Sequence, residues 1–153
     1  MWYFRKTDPV ELTDQARFVS FVGAGGKSTL IEHLAAQELR RGKRVAITTT
    51  TKIWAREPYA LIDNLLEGVR PREEDYPEFL RVGKSIEEGK LTALESREIW
   101  ELSQHYSLIL IEADGAKGRP LKYPAQYEPV IPPFSDPVVV VAGLDALCTR
   151  VDQ

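Results

Sequence analysis

Little in this sequence points to an oxidising compartment, a bilayer or a nucleic acid. Cysteine occurs once, as Cys148, so no internal disulfide can form and the chain fits a reducing, cytoplasmic setting. Cys148 itself reads as an ordinary core or surface thiol. The longest apolar runs, near Leu108–Ile111 and Val138–Ala142, are strand-sized and far too short to cross a membrane. The opening Met-Trp-Tyr-Phe-Arg-Lys lacks the apolar segment of a signal peptide, so no leader is expected. Positive charge is not in excess either. With 20 Lys and Arg against 23 Asp and Glu, net charge is −3 and no basic stripe stands out, which argues against a nucleic-acid partner. No internal repeat is visible. What remains is 153 residues, 43% hydrophobic and 28% charged, enough for one well-cored domain of ordinary soluble composition.

The stretch that organises the chain is Arg17 to Leu30, R-F-V-S-F-V-G-A-G-G-K-S-T-L. Strand-favouring Phe18, Val19, Phe21 and Val22 break into Gly23-Ala24-Gly25-Gly26, and Lys27, Ser28 and Thr29 then open a helix. Glycines let successive backbone N–H groups converge on one anion, and the helix start adds its own donors and dipole. Lys27 is placed to reach the terminal phosphates, and the Ser28 hydroxyl to join the shell of a magnesium ion. The usual G-x-x-x-x-G-K-[ST] spacing would need a glycine where Phe21 stands; the loop here is a shorter G-x-x-G-K-S, Gly23 to Ser28. A glycine-rich turn that binds nothing would not need the Lys-Ser-Thr tail between strand and helix. The pattern therefore says nucleotide or phosphate, without naming which.

Along the chain, Asp8-Pro9 predicts a capped helix to about Ala16, and Phe18–Val22 the first strand. Leu30, Ile31, Leu34, Ala35 and Leu39 repeat at helical spacing, and Arg40, Arg41 and Gly42 end that helix. Arg44–Thr49 is the second strand. Residues 55–78 turn polar, with Pro58, Pro71 and Pro77, one short helix around Leu61, Ile62, Leu65 and Leu66, and a solvated acidic cluster at Glu73, Glu74 and Asp75. Phe79–Gly83 reads as a short strand. Thr92-Ala93-Leu94-Glu95 reads as a capping box before a helix that aligns Ile99, Leu102 and Tyr106. Leu108–Ile111 and Val138–Ala142 are apolar without alternation, which predicts strands buried on both faces. Alternating helices and strands give an α/β fold, a P-loop NTPase-like three-layer sandwich with a mostly parallel central sheet and right-handed crossovers.

Further candidate residues gather at the carboxyl edge of that sheet, where open parallel sheets bind ligands. Glu112 and Asp114 follow the Leu108–Ile111 strand. Asp114 is the first choice for the metal-side acid, with Glu112 second and suited to positioning a water. The Thr48-Thr49-Thr50-Thr51-Lys52 tract, Thr49 and Thr50 above all, ends the second strand at the same edge. Its hydroxyls suit magnesium or phosphate as switch loops do, and threonine is equally a good strand residue. In the loop Gly115–Arg119, Lys117 or Arg119 is available to stabilise phosphoryl charge, or is simply an exposed base. Asp145 follows the Val138 strand at the final position of an Asn-Lys-x-Asp-like guanine reader, with Ala142 and Gly143 where Asn and Lys would stand. It reads either guanine or an N-cap.

These blocks together, V-G-A-G-G-K-S-T-L, T-T-T-T-K-I, E-A-D-G-A-K-G-R-P-L-K, E-P-V-I-P and V-A-G-L-D-A-L, resemble the YqeC family. Its members are selenium-dependent hydroxylase accessory proteins, also called selenium cofactor biosynthesis proteins. The matching blocks run from Phe21 to Leu147. The resemblance implies a P-loop NTPase-like fold and a role in maturing a molybdenum hydroxylase with a selenium-containing cofactor. It implies Gly23, Gly25, Gly26, Lys27 and Ser28 as the phosphate loop, and Glu112 and Asp114 as the acidic site. Family members continue past Gln153, so the expectation is one nucleotide-binding domain over residues 1–153, truncated at its C-terminus. The expected activity is magnesium-dependent binding of ATP or GTP with hydrolysis or phosphoryl transfer; the expected partners are that nucleotide and the hydroxylase or its assembly proteins. A non-hydrolysing, nucleotide-gated assembly chaperone is the alternative. So is a ligase or kinase, since the compact loop also resembles that of Mur-type amide ligases.

Overall fold

A computed structural model describes residues 8–66, 76–115 and 129–144. Lys117, Arg119, Asp145, Cys148 and the acidic cluster at 73–75 lie outside the described residues. After a 3-10 turn at Pro9–Leu12, the chain runs β1 (Phe18–Gly23), α1 (Lys27–Arg40), β2 (Val45–Thr49), β3 (Lys52–Trp54), β4 (Tyr59–Leu61) and α2 (Ile62–Leu66). It continues through β5 (Phe79–Gly83), β6 (Ile86–Glu87), β7 (Lys90–Thr92), α3 (Ser96–Leu102), β8 (Leu108–Glu112) and β9 (Val138–Val141).

Six strands form one sheet in the order β4-β5-β2-β8-β1-β9, and all five neighbouring pairs are parallel. The apolar, non-alternating β1, β2 and β8 occupy its middle, where both faces need apolar cover. Helix α1 covers one face, with Ile31, Leu34 and Ala35 packed on Val19, Phe21, Ile47 and Leu110. On the other face, Ile62 of α2 and Ile99 and Leu102 of α3 pack with Phe18, Ala46, Ile109 and Ile111. The result is the α/β, three-layer, P-loop-like sandwich that the helix and strand pattern implied.

Four local expectations are corrected. The first helix is only a 3-10 turn: Asp8 caps it through the Val10 N–H at 3.1 Å, but it ends at Leu12. Its next residue, Thr13, is fully buried and gives its hydroxyl to Glu38. The capping box of α3 sits three residues later than predicted, with the Glu95 N–H donated to Glu98 at 2.9 Å. Thr92 is instead drawn into β7, its hydroxyl 2.8 Å from that of Ser85. A separate antiparallel sheet, β3-β7-β6, was not anticipated, because its strands are two or three residues long and pair residue 52 with residue 92. Finally, β9 is not buried on both faces. Among the described residues it is an edge strand, and Val140 is 76% exposed.

Candidate functional site

The carboxyl ends of the neighbouring strands β2, β8 and β1 bring the candidate residues together. At the end of β1, Gly23, Gly25 and Gly26 take φ values of 89°, 78° and 104°, left-handed backbone that glycine adopts without strain. Gly23 has a second reason to lack a side chain, since a Cβ there would lie 2.3 Å from the Val141 carbonyl oxygen. That carbonyl accepts the Ala24 N–H at 2.9 Å, so the loop leans on the end of β9. Val141 meets the loop through its backbone carbonyl, which leaves no side-chain signal for sequence reasoning to find. Helix α1 begins directly from Gly26 with no capping side chain. Helix starts of this kind receive anions.

Lys27 folds back over the loop, 3% exposed, with Nζ donating to the Gly23 carbonyl at 2.6 Å. Ser28 turns toward β8, and its hydroxyl donates to Glu112 Oε2 at 3.0 Å. Asp114 Oδ2 accepts the Gly23 N–H at 3.2 Å. The two acids therefore divide the loop, Glu112 meeting the serine and Asp114 the backbone. Sheet register sets this division: Phe21 pairs with Glu112, and the Ala113 N–H bonds the Phe21 carbonyl at 2.9 Å. Sequence reasoning put Asp114 first on the metal side, whereas the serine hydroxyl meets Glu112.

Burial pushes the Glu112 carboxyl above its ordinary value; the Ser28 hydrogen bond and the Lys27 charge pull it back, and the Asp114 charge adds to the rise. The carboxylate is thus held where ionisation is costly.

The threonine tract works mainly on the backbone. The buried Thr49 hydroxyl donates to the Glu112 carbonyl at 2.8 Å, and that of Thr50 to the Val130 carbonyl at 2.6 Å. Thr49 also accepts the Thr51 N–H at 2.9 Å. The Thr49 bond ties the end of β2 to the acid-bearing strand, and the Thr50 bond ties it to the segment that leads to β9. The half-buried Thr51 hydroxyl lies 3.8 Å from where Gly115 would carry a Cβ, so the tract faces the Asp114-Gly115 turn. Ala24 is fully buried, and Thr29 stands exposed on the first turn of α1.

Among the described residues, no group of three or more His, Cys, Asp or Glu forms a stand-alone metal cage. Magnesium carried with a nucleotide asks for less: one or two protein oxygens, the rest coming from phosphates and water. The Ser28 hydroxyl against the Glu112 carboxylate is an all-oxygen donor pair. The residues fit that ion.

The family model described as YqeC protein matches residues 19–153, which takes in the whole glycine loop and both acids. The chain belongs to the YqeC family. An Escherichia coli (strain K12) relative, printed as "Uncharacterized protein YqeC", is 34% identical over 145 residues. The match covers 87% of this chain and 54% of the relative, so the chain spans about half the length of the curated relative it matches. No solved structure matches the chain. No helix among the described residues is long and apolar enough to cross a membrane.

Proposed function

We propose that this YqeC chain binds a nucleoside triphosphate with magnesium at the glycine loop and hydrolyses or transfers its terminal phosphoryl group. The observation that carries the reading is the Ser28 hydroxyl set 3.0 Å from Glu112, beside a loop held open by three left-handed glycines. In this reading the amides of Gly25–Ser28 hold the β- and γ-phosphates, and the Lys27 ammonium exchanges the Gly23 carbonyl for a phosphate oxygen. Ser28 and Glu112 would hold the magnesium ion, which neutralises phosphate charge when bound. Asp114 keeps the first loop amide in place and, with Thr49 steadying the backbone of Glu112, fixes the geometry of the edge. The family resemblance extends the reading to assistance in maturing a selenium-dependent molybdenum hydroxylase in the cytoplasm.

A thermal-shift panel of ATP and GTP, with and without magnesium, tests the proposal. Saturation at a hundredfold over Kd adds about 2.7 kcal/mol, a rise of roughly 5–10 °C for a domain of this size. No shift with either nucleotide at millimolar concentration sinks it. Binding without phosphate release would make the chain a nucleotide-gated assembly chaperone. Turnover only with an added acceptor would make it a ligase or kinase.

A further inference from the structure

Ala113 stands between the two acids, and both of its backbone polar groups are held. Its N–H donates to the Phe21 carbonyl at 2.9 Å, and its carbonyl accepts the Val130 N–H at 3.2 Å. Val130 is held in turn, because its own carbonyl accepts the hydroxyl of the buried Thr50 at 2.6 Å. The Thr50 N–H closes a ring by donating to the Glu112 carbonyl at 3.2 Å. Thr50 therefore touches the acid-bearing strand twice, directly by its backbone and through Val130 by its side chain.

A carbonyl lies in the plane of the peptide that follows it. The Glu112 carbonyl belongs to the Glu112–Ala113 peptide, where the Thr49 hydroxyl is a second donor at 2.8 Å. The Ala113 carbonyl belongs to the Ala113–Asp114 peptide, so the Val130 bond sets the direction in which Asp114 leaves the strand. The Asp114 carboxylate then accepts the Gly23 N–H at 3.2 Å. We infer that Thr50 is a positioning residue for Asp114, acting through Val130, and not a ligand of the phosphates. A hydroxyl has one proton to donate, and that of Thr50 goes to Val130. The two threonines thus serve one acid each, Thr49 the peptide after Glu112 and Thr50 the peptide before Asp114. What Asp114 does for a ligand rests on the nucleotide reading; what Thr50 does for Asp114 rests on these hydrogen bonds.

Thr50→Val keeps the side chain's shape and removes its hydroxyl, and Thr50→Ser keeps the hydroxyl. Calorimetric titration of the intact chain with ATP and GTP, with and without magnesium, is read beside amide hydrogen exchange. Thr50→Val should bind roughly three- to tenfold more weakly in both conditions, as Asp114→Asn does, and Thr50→Ser should bind like the wild type. In Thr50→Val the Gly23 and Val130 amides should exchange at least about threefold faster. Combining Thr50→Val with Asp114→Asn should weaken binding no further than Asp114→Asn alone. Val130→Pro, at an exposed side chain, deletes the N–H that meets Ala113 and should give the same magnesium-independent loss with the Thr50 hydroxyl intact. A loss confined to the magnesium titrations, with Gly23 exchange unchanged, would make Thr50 a metal ligand and overturn the inference. Wild-type affinity and exchange in either Thr50→Val or Val130→Pro overturns it as well. A wild type that binds neither nucleotide ends the nucleotide reading, and the Gly23 exchange rate then decides the positioning role by itself.

Discussion

Helix α1 has a buried charge cluster at each end, and the two are built on opposite principles. At its C-terminal end Glu38, fully buried, receives the Thr13 hydroxyl at 2.9 Å, Arg41 at 2.7 Å and Lys43 at 2.7 Å. Arg41 in turn pairs with Asp14 at 2.5 Å, so two acids meet two bases. Burial alone would raise the Glu38 carboxyl, but the bonds from Lys43, Thr13 and Arg41 outweigh it and hold it below its ordinary value. At the N-terminal end Glu112 and Asp114 share the described Lys27, and the Glu112 carboxyl stands above its ordinary value. Buried charge is therefore common to a clamp and to a site. What separates them is the direction in which the surroundings move the buried carboxyl, down at Glu38 and up at Glu112. The balanced end fastens the 3-10 turn to α1. At the other end burial outweighs the Ser28 hydrogen bond and the Lys27 charge at Glu112.

The comparison breaks most visibly at Glu38. Glu38→Ala removes a buried carboxylate whose bonds, being charge-assisted, should be worth about 3 kcal/mol together, read as a lower urea midpoint. A loss within experimental error would mean that the clamp is ornamental. The pH sign follows from the depressed value. Glu38's contribution is fully present above its ordinary 4.5 and is lost as pH falls through the lower folded value, so the variant should lack that part of the acid limb.

Lys27→Ala should do the reverse, sparing stability and striking function. Losing one charge-assisted contact to phosphate costs about 1.5–3 kcal/mol, or roughly ten- to a hundredfold in triphosphate affinity. Calorimetric titration beside circular dichroism reads both. A folded variant with unchanged affinity would remove Lys27 from the site.

The two acids should then separate by their use of magnesium. Glu112→Gln is expected to lower nucleotide affinity about tenfold with magnesium present and little without it, since it withdraws one metal-side oxygen. Asp114→Asn, which touches the Gly23 N–H, should weaken binding to a similar extent in either condition. The opposite pattern would exchange their roles.

A smaller effect concerns the ligand-free protein. A raised Glu112 value means that the folded state holds this proton more tightly than the unfolded one. Stability from this group is thus greatest below its ordinary 4.5 and is lost as pH rises through the raised folded value. Glu112→Gln should abolish that decline, followed as melting temperature against pH. Smallest of all, Asp14→Asn touches a half-exposed pair and should cost about 0.2–1 kcal/mol. A larger cost would show that the surface partner, and not the buried Glu38, carries the clamp.

Much of this was legible before any coordinates, and for local reasons. The runs Phe18–Val22, Phe79–Gly83 and Leu108–Ile111 became strands within a residue of their expected bounds. Helix α1 ends where Arg40, Arg41 and Gly42 said it should. The glycine loop declared itself through Gly23, Gly25 and Gly26, because a left-handed turn next to Lys-Ser-Thr is a demand that neighbouring residues write into the sequence. Tertiary structure decided what depends on register and strand order. Which acid meets Ser28 follows from Phe21 pairing with Glu112 across two strands far apart in the sequence. Thr92 looked like a cap until Ser85 recruited its hydroxyl into a sheet of three short strands, each too short to signal itself. Four consecutive valines specified a strand in either case. That β9 stands at the rim of the described strands depended on strand order, and a residue's exposure is a property of its neighbours in space.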